Sequence, residues 1–206
     1  MQTTPGTSLS SEATPEHDTA PRRSRFSVWV AVASMVYALD QVTKWWAERS
    51  LAGGPPREVL GDLVQLRLTY NPGAAFSVGT GYTIVLTVIA LVVIGVCLTL
   101  ASRLGSTSWA VALGLLLGGA LGNVTDRILR APAPFRGHVV DFIELPSWPV
   151  FNIADSAISV AAVVFVVLSL RGVHLDGTRD ERRQSAGSPD DSATSDPARA
   201  DDDGRP

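Results

Sequence analysis

Four long apolar stretches constrain what this 206-residue chain can fold into. They run from Phe26 to about Trp46, from Tyr82 to about Ala101, from Trp109 to about Thr125 and from Val150 to Leu170. About 20 mainly apolar residues in a helix are enough to cross the hydrocarbon core of a bilayer. The sequence therefore predicts an all-α membrane protein with four transmembrane helices.

The segments outside the four spans differ in composition. Residues 1–25 are rich in Ser, Thr, Pro and Glu, residues 172–206 are rich in charge, and both are predicted to be disordered tails around a membrane domain at 26–171. In the excursion between spans one and two, apolar residues from Val64 to Tyr70 alternate with polar ones. This alternation predicts a half-buried strand in an otherwise helical protein.

The polar residues of the membrane domain all belong to one side of the membrane. Because consecutive spans alternate in direction, the ends of spans one and three lie on the same side as the starts of spans two and four. The amides, carboxylates and cations at those ends are Asp40, Lys44, Asn71, Asn123, Asp126, Arg127, Asp141, Asn152 and Asp155. Ionisable groups inside a span are costly, so we expect them to face protein and to form a shared site.

Each of these features also has a purely structural interpretation. Gly114, Gly118 and Gly122 form a small-residue strip that favours close helix packing, so the third span could simply end in a polar cap. Asp40 and Lys44 could form an interfacial salt bridge that reaches water. The Asn71-Pro-Gly segment could be a plain turn after the strand.

The residue types limit the chemistry of such a site. The single cysteine, Cys97, lies within an apolar run, the three histidines are scattered, and we find no metalloprotease motif and no basic nucleic-acid-binding patch. Two aspartates at close range share a proton and can activate a water that hydrolyses an amide. A proton-coupled transporter and a metal site of Asp and Asn ligands are the alternatives. The residues alone do not choose between Asp126 and Asp141 as a partner for Asp155.

The arginines give the expected orientation. Arg22, Arg23, Arg25, Arg103 and Arg171 lie on the side opposite the polar residues, and Lys and Arg are enriched in cytoplasmic loops. We therefore expect both termini in the cytoplasm and the polar face outside.

Five sequence blocks occur in an order that resembles one known family. They are Asp40-Gln-Val-Thr-Lys44, Asn71-Pro-Gly-Ala-Ala-Phe76, Gly118-Gly-Ala-Leu-Gly-Asn-Val-Thr-Asp-Arg127, Val139-Val-Asp-Phe142 and Phe151-Asn-Ile-Ala-Asp155. These blocks, between residues 26 and 170, resemble those of lipoprotein signal peptidase (signal peptidase II), a bacterial inner-membrane aspartic protease. The resemblance implies cleavage of the signal peptide of diacylglyceryl-modified prolipoproteins, before the lipid-modified cysteine.

The resemblance also implies roles for individual residues. Asp141 and Asp155 would form the catalytic dyad, and Asp126 would be structural. Residues expected to bind substrate or to support the site are Asp40, Lys44, Asn71, Gly73, Asn123, Asp126, Arg127 and Asn152. We expect no metal or cofactor, no nucleic acid, and a monomer whose partners are its substrates and membrane lipids. The segment from Arg127 to Asp141 departs from the family because it is longer than expected.

Overall fold

The computed structural model describes residues 22–73 and 83–179. Within these residues lie four helices long and apolar enough to cross a membrane: α1 (Arg22–Leu51), α2 (Thr83–Ala101), α3 (Thr107–Leu129) and α4 (Ile153–Leu170). The four predicted spans are confirmed, and α1 and α3 continue past their predicted ends. The predicted tails at 1–21 and 180–206, and the motif residues Ala74–Phe76, lie outside the described residues.

Helix α3 is the centre of the bundle because its glycines allow close packing. A Cβ atom on Gly118 would lie 2.6 Å from the carbonyl oxygen of Ala33 in α1, and one on Gly119 would lie 2.6 Å from that of Ala154 in α4. A Cβ atom on Gly114 would lie 2.9 Å from Val32 Cβ, and one on Gly122 would overlap the carboxylate of Asp40, both in α1. The predicted role of the small-residue strip in helix packing is confirmed.

A small antiparallel sheet covers one end of the bundle. Its strands within the described residues are β1 (Arg57–Glu58), β2 (Gln65–Asn71) and β3 (Val139–Glu144), in the order β1-β2-β3. Strand β2 is the predicted strand, displaced by one residue, and its register with β3 is interrupted by an irregularity between Leu66 and Thr69. Strand β3 was not predicted. It belongs to the excursion between α3 and α4, so the sheet joins the two excursions.

The chain after α4 turns back onto the opposite end of the bundle. Trp109 Nε1 donates to the carbonyl oxygen of Val173 at 2.9 Å, and Gly105 N donates to that of Leu175 at 2.9 Å. Leu175 packs against the apolar core of α1, α2 and α3. Residues 172–179, which we expected to belong to the disordered tail, thus contact the folded membrane domain.

Candidate active site

A buried lysine is the electrostatic centre of the polar end of the bundle. Lys44 Nζ lies 2.8 Å from Asp40 Oδ2 and 2.8 Å from Asp126 Oδ2, and it donates to Asn123 Oδ1 at 3.0 Å. An ammonium has three N–H donors, so these contacts satisfy all of them. Lys44 and Asp40 are fully buried and Asp126 is 1% exposed, which rules out a salt bridge that reaches water.

Asp126 forms ion pairs with two cations, Lys44 and Arg130, and has a structural role. Besides Lys44 it accepts a hydrogen bond from Arg130 Nε at 2.6 Å, and Arg130 also forms an ion pair with Glu48 of α1. The second oxygen of Asp126 accepts the backbone N–H of Val140 at 3.3 Å. Asp126 thus joins α1 and α3 to strand β3.

Asp40 has a similar structural role and joins α1 to the start of α4. Its Oδ1 atom accepts the backbone N–H of Ala154 at 2.9 Å. This N–H belongs to the first turn of α4 and has no acceptor within its own helix. The carboxylate therefore positions the start of α4 against α1.

Asn152 begins α4 and fixes the position of Asp155. Its Oδ1 atom accepts the backbone N–H of Asp155 at 2.9 Å, while Asp155 Oδ2 accepts the backbone N–H of Asn152 at 3.3 Å. This reciprocal pair is a capping box, in which both side chains satisfy free backbone donors of a helix N-terminus. The other carboxylate oxygen of Asp155 accepts a hydrogen bond from Asn123 Nδ2 at 2.8 Å.

Asp141 lies in the middle of β3 and is held by two amides. Its Oδ1 accepts from Asn152 Nδ2 at 2.6 Å, and its Oδ2 accepts from Asn71 Nδ2 at 2.8 Å. Asp141 is 1% exposed. Burial, followed by the negative charge of Asp155, raises the pKa of Asp141 to about 7, although the two amide hydrogen bonds act in the opposite direction.

The orientation of these amides is determined by their other contacts. Asn71 Oδ1 accepts the backbone N–H of Gly73, Asn152 Oδ1 accepts that of Asp155, and Asn123 Oδ1 accepts from the ammonium of Lys44. In each case a group that can only donate occupies the amide oxygen, so the NH₂ group is directed toward an aspartate. The carboxylates of Asp141 and Asp155 therefore receive neutral donors, whereas Asp40 and Asp126 receive cations.

Arg127 lies beside the two aspartates with an unused donor. Its Nη1 atom is buried and has no hydrogen-bond partner among the described residues. A Cβ on Gly73 would lie 3.7 Å from this atom, and Gly73 has φ +109°, a backbone conformation that favours glycine. The guanidinium is thus available to a carbonyl oxygen that approaches along the turn after β2.

The long segment between α3 and β3 is anchored at several points. Gly137 N donates to the carbonyl oxygen of Arg127 at 2.9 Å, and Thr87 Oγ1 of α2 donates to that of Phe135 at 3.1 Å. Its extra length therefore forms a loop that packs on α2 and α3 and leads into β3.

All predicted site residues in the described part of the chain lie at this end of the bundle. The predicted convergence of Asp40, Lys44, Asn71, Gly73, Asn123, Asp126, Arg127, Asp141, Asn152 and Asp155 is observed. Three further residues of this end of the bundle were not predicted as site residues: Glu48, Arg130 and Thr87. Glu48 and Arg130 could have been predicted from their spacing, because each follows a charged site residue of opposite sign by four positions, Lys44 and Asp126 respectively.

Comparison with known proteins agrees with this geometry. A sequence model of the family described as signal peptidase (SPase) II matches residues 32–171. The chain belongs to the signal peptidase II family. It is therefore a protease of the class that removes signal peptides from prolipoproteins, and a transporter function is not supported.

Individual relatives cover most of the chain. It is 48% identical over 175 residues to a lipoprotein signal peptidase of Mycobacterium avium, covering 84% of this chain and 95% of the relative. It is 41% identical over 206 residues to one of Leifsonia xyli, covering 97% and 95%. A bacterial membrane enzyme solved by the in meso method is similar in structure, with a TM-score of 0.62 and 28% identity over 70% of this chain and 94% of that one. The similarity to a solved membrane enzyme agrees with the four membrane-spanning helices of this chain.

Proposed function

We propose that Asp141 and Asp155 form the catalytic dyad of this signal peptidase II and cleave prolipoproteins before their diacylglyceryl-modified cysteine. One observation carries the proposal. Among the aspartates at this end of the bundle, Asp40 and Asp126 are bound by Lys44, whereas Asp141 and Asp155 are bound by neutral amides. A carboxylate that a cation neutralises is a poor base, so the chemistry belongs to the other two.

The dyad shares one proton between two coupled carboxyl groups. The ionised member accepts a proton from a water molecule, and the water oxygen attacks the carbon of the scissile peptide bond. The protonated member donates to the carbonyl oxygen as its negative charge develops, which gives a gem-diol. The carboxyl group that received the water proton then protonates the amide nitrogen, the C–N bond breaks, and a gem-diol hydroxyl returns its proton to the other carboxylate. The pKa of about 7 for Asp141 keeps this one-proton state populated near neutral pH.

Arg127 and the turn at Gly73 are the parts of the site that we assign to substrate binding. The Nη1 atom of Arg127, which has no hydrogen-bond partner within residues 22–73 and 83–179, supplies a donor for a peptide carbonyl near the dyad. Strand β2 supports the same peptide, because it pairs with β3 and ends at Asn71 beside Asp141. Asn123 positions Asp155, and Lys44 positions Asn123.

The location of the site fits a lipid-anchored substrate. The dyad lies where α4 begins and β3 crosses the end of the bundle, so it is at the membrane interface. We place this face outside the bacterial plasma membrane and the termini in the cytoplasm, with a monomer as the working unit. Reporter fusions after Arg103 and after Arg136 should report opposite sides of the membrane, and the same side for both would contradict this topology.

Cleavage by the purified protein tests the function directly. In detergent it should release the signal peptide from a diacylglyceryl-modified prolipoprotein, without added metal and in the presence of a chelator. The unmodified precursor is the matched control and should be cleaved far more slowly. Equal cleavage of both precursors would contradict the assigned substrate, and loss of activity with chelator would contradict the two-aspartate mechanism.

A further inference from the structure

An apolar cavity of about 260 Å³ lies between α2, α3 and α4, far from the aspartates. Its walls include Val96 and Cys97 of α2, Trp109 and Leu113 of α3, and Phe165 of α4. Trp109 and Phe165 stack with ring centroids 5.4 Å apart. Among the described helices, α2 packs extensively against α3 alone, so α2 and α4 flank a cleft whose floor is α3.

The cavity and the active site share one face of α3. Trp109, Leu113, Leu116, Ala120, Asn123 and Arg127 follow one another at spacings of three or four residues. Residues with this spacing lie along a single side of a helix. The apolar part of this face therefore leads from the cavity to the two polar residues beside the dyad.

The other two helices repeat this relationship. Asp155 and Phe165 of α4 are connected by Ile158 and Ala162 at the same helical spacing. On α2 the cavity residue Val93 lies seven residues after Leu86 and on the same face, and the side chain of Leu86 adjoins Gly73 at the site. The three faces together place the dyad and the cavity along one side of α3, between α2 and α4.

The depth of the cavity fits the substrate's apolar helix. With a rise of 1.5 Å per residue, the part of α3 that lines it lies about 10 to 21 Å below Asn123. The apolar core of a signal peptide has roughly 7 to 15 residues, which as a helix is about 10 to 22 Å long. A signal peptide whose cleavage site lies at the dyad, and which is helical on the N-terminal side of that site, would place its apolar core beside the cavity.

We propose that this cavity is a side-chain pocket for the signal peptide, binding a large apolar residue about ten positions before the cleaved bond. The pocket is too small for a helix but large enough for one or two side chains, since an apolar cavity of about 150 Å³ binds benzene. The inference rests on the proposed function. It adds a specificity determinant that is remote from the reacting atoms.

Disulfide trapping in an inactive complex tests this position. Cys97 is the single cysteine of the chain, so Cys97→Ala allows one new cysteine to be placed at will. Val96→Cys faces the cleft, and Leu98→Cys, which is similarly exposed on the other side of α2, is the matched control. Both are combined with Asp155→Asn and incubated with lipid-modified prolipoproteins that carry single cysteines 4 to 18 residues before the cleavage site.

The expected result is a crosslink to Val96→Cys that peaks about ten residues before the bond and recurs at helical spacing. Leu98→Cys should give none above background. Equal crosslinking of both variants, or a flat profile for Val96→Cys, would overturn the proposal. Failure of the unsubstituted enzyme to cleave the same precursor would instead contradict the proposed function.

A kinetic measurement distinguishes a substrate pocket from one that holds only lipid. Val96→Trp narrows the pocket, and it should raise KM about tenfold for a precursor with Leu at the matching position. A poor fit of one side chain in a hydrophobic pocket costs at least about tenfold in discrimination. Val96→Trp should leave kcat unchanged and have little effect on a precursor with Ala there, and Leu98→Trp should change neither constant. An equal effect of Val96→Trp on both precursors would show that membrane lipid alone occupies the cavity.

Discussion

Lys44 donates to Asn123 Oδ1 at 3.0 Å, and this bond directs the NH₂ group of Asn123 toward Asp155. The buried ammonium thus acts on the proposed dyad through an intervening amide. It sets the direction of a hydrogen bond without bringing its own charge next to the nucleophilic water. The dyad can consequently retain a shared proton close to a fully buried cation.

Replacement of either dyad member should abolish turnover. Asp141→Asn and Asp155→Asn remove a group that must exchange a proton, and general acid–base catalysis alone contributes about 10²–10⁴-fold. The double variant should be little worse than either single one, because groups that act as a unit are not additive. Turnover per folded, detergent-extracted protein is the measurement.

Asp126→Asn is the matched control for the dyad variants. It changes a buried aspartate that is bound by Lys44 and Arg130, so it should reduce the yield of folded protein while leaving measurable cleavage in the fraction that folds. An inactive Asp126→Asn beside an active Asp141→Asn would mean that Asp155 has a different partner.

The pKa of Asp141 predicts a pH-dependent stability. The folded protein holds this proton up to about pH 7, whereas the unfolded chain releases it near the usual value of 3.8. Between these values the folded state binds more protons, so the stability contribution of Asp141 is lost as pH rises through about 7. The Tm should fall from pH 5 to pH 8, and Asp141→Asn should flatten this slope.

Asp155→Asn tests the electrostatic interaction between the two carboxyl groups. It removes the negative charge that helps to raise the pKa of Asp141. The fall in Tm should then end at a lower pH and be smaller than in the unsubstituted protein. A Tm profile that none of these substitutions alters would show that Asp141 does not hold a proton near neutral pH.

Lys44→Met should destabilise the fold by about 3–5 kcal/mol, because it leaves a buried carboxylate without its cation. The carboxylate most affected is Asp40, since Asp126 retains Arg130. Adding Asp40→Asn should therefore restore much of the stability. It should not restore turnover, because Asn123 has still lost the contact that orients it. Recovery of turnover in the double variant would exclude the positioning role of Lys44.

Gly105→Ala should detach the chain after α4 from the loop between α2 and α3. Its new Cβ would overlap the carbonyl oxygen of Asp176, whereas a Cβ on Gly95 in α2 would have no atom of the described residues within 4 Å. Gly105→Ala should lower Tm and expose residues 172–179 to protease. Gly95→Ala should be neutral or stabilising by about 0.5–1 kcal/mol. Equal effects of the two substitutions would show that this contact does not matter for stability.

The sequence predicts the spans well because the bilayer imposes a length and a hydropathy on each. It predicts their polar ends less well. Helix α1 continues to Leu51, which packs with Ala47 and Phe142, and α3 continues past the buried Asp126 and Arg127 to Leu129. Strand β3 escapes prediction because both faces of Val139–Phe142 are buried, so it lacks the alternation that identifies β2.

The residues alone do not identify which aspartate, Asp126 or Asp141, is the partner of Asp155. Asp126 and Asp141 lie in the same excursion and are the same residue type. The difference between them is their partners, Lys44 and Arg130 for one and Asn71 and Asn152 for the other. These partners come from distant parts of the chain, so the three-dimensional structure is needed to assign them.

The ion pairs within α1 and α3 have a consequence for how the protein is made. Asp40 and Lys44 are four residues apart on α1, and Arg130, the C-cap residue of α3, follows Asp126 by four. Each acidic side chain therefore enters the membrane with a counter-ion from its own helix, which lowers the cost of inserting that helix before its neighbours arrive. The two proposed catalytic aspartates follow in β3 and α4, the last elements to be synthesised. A ribosome-bound chain can thus insert the buried carboxylates of Asp40 and Asp126 in neutral pairs, and it acquires both proposed catalytic aspartates only when its final span is synthesised.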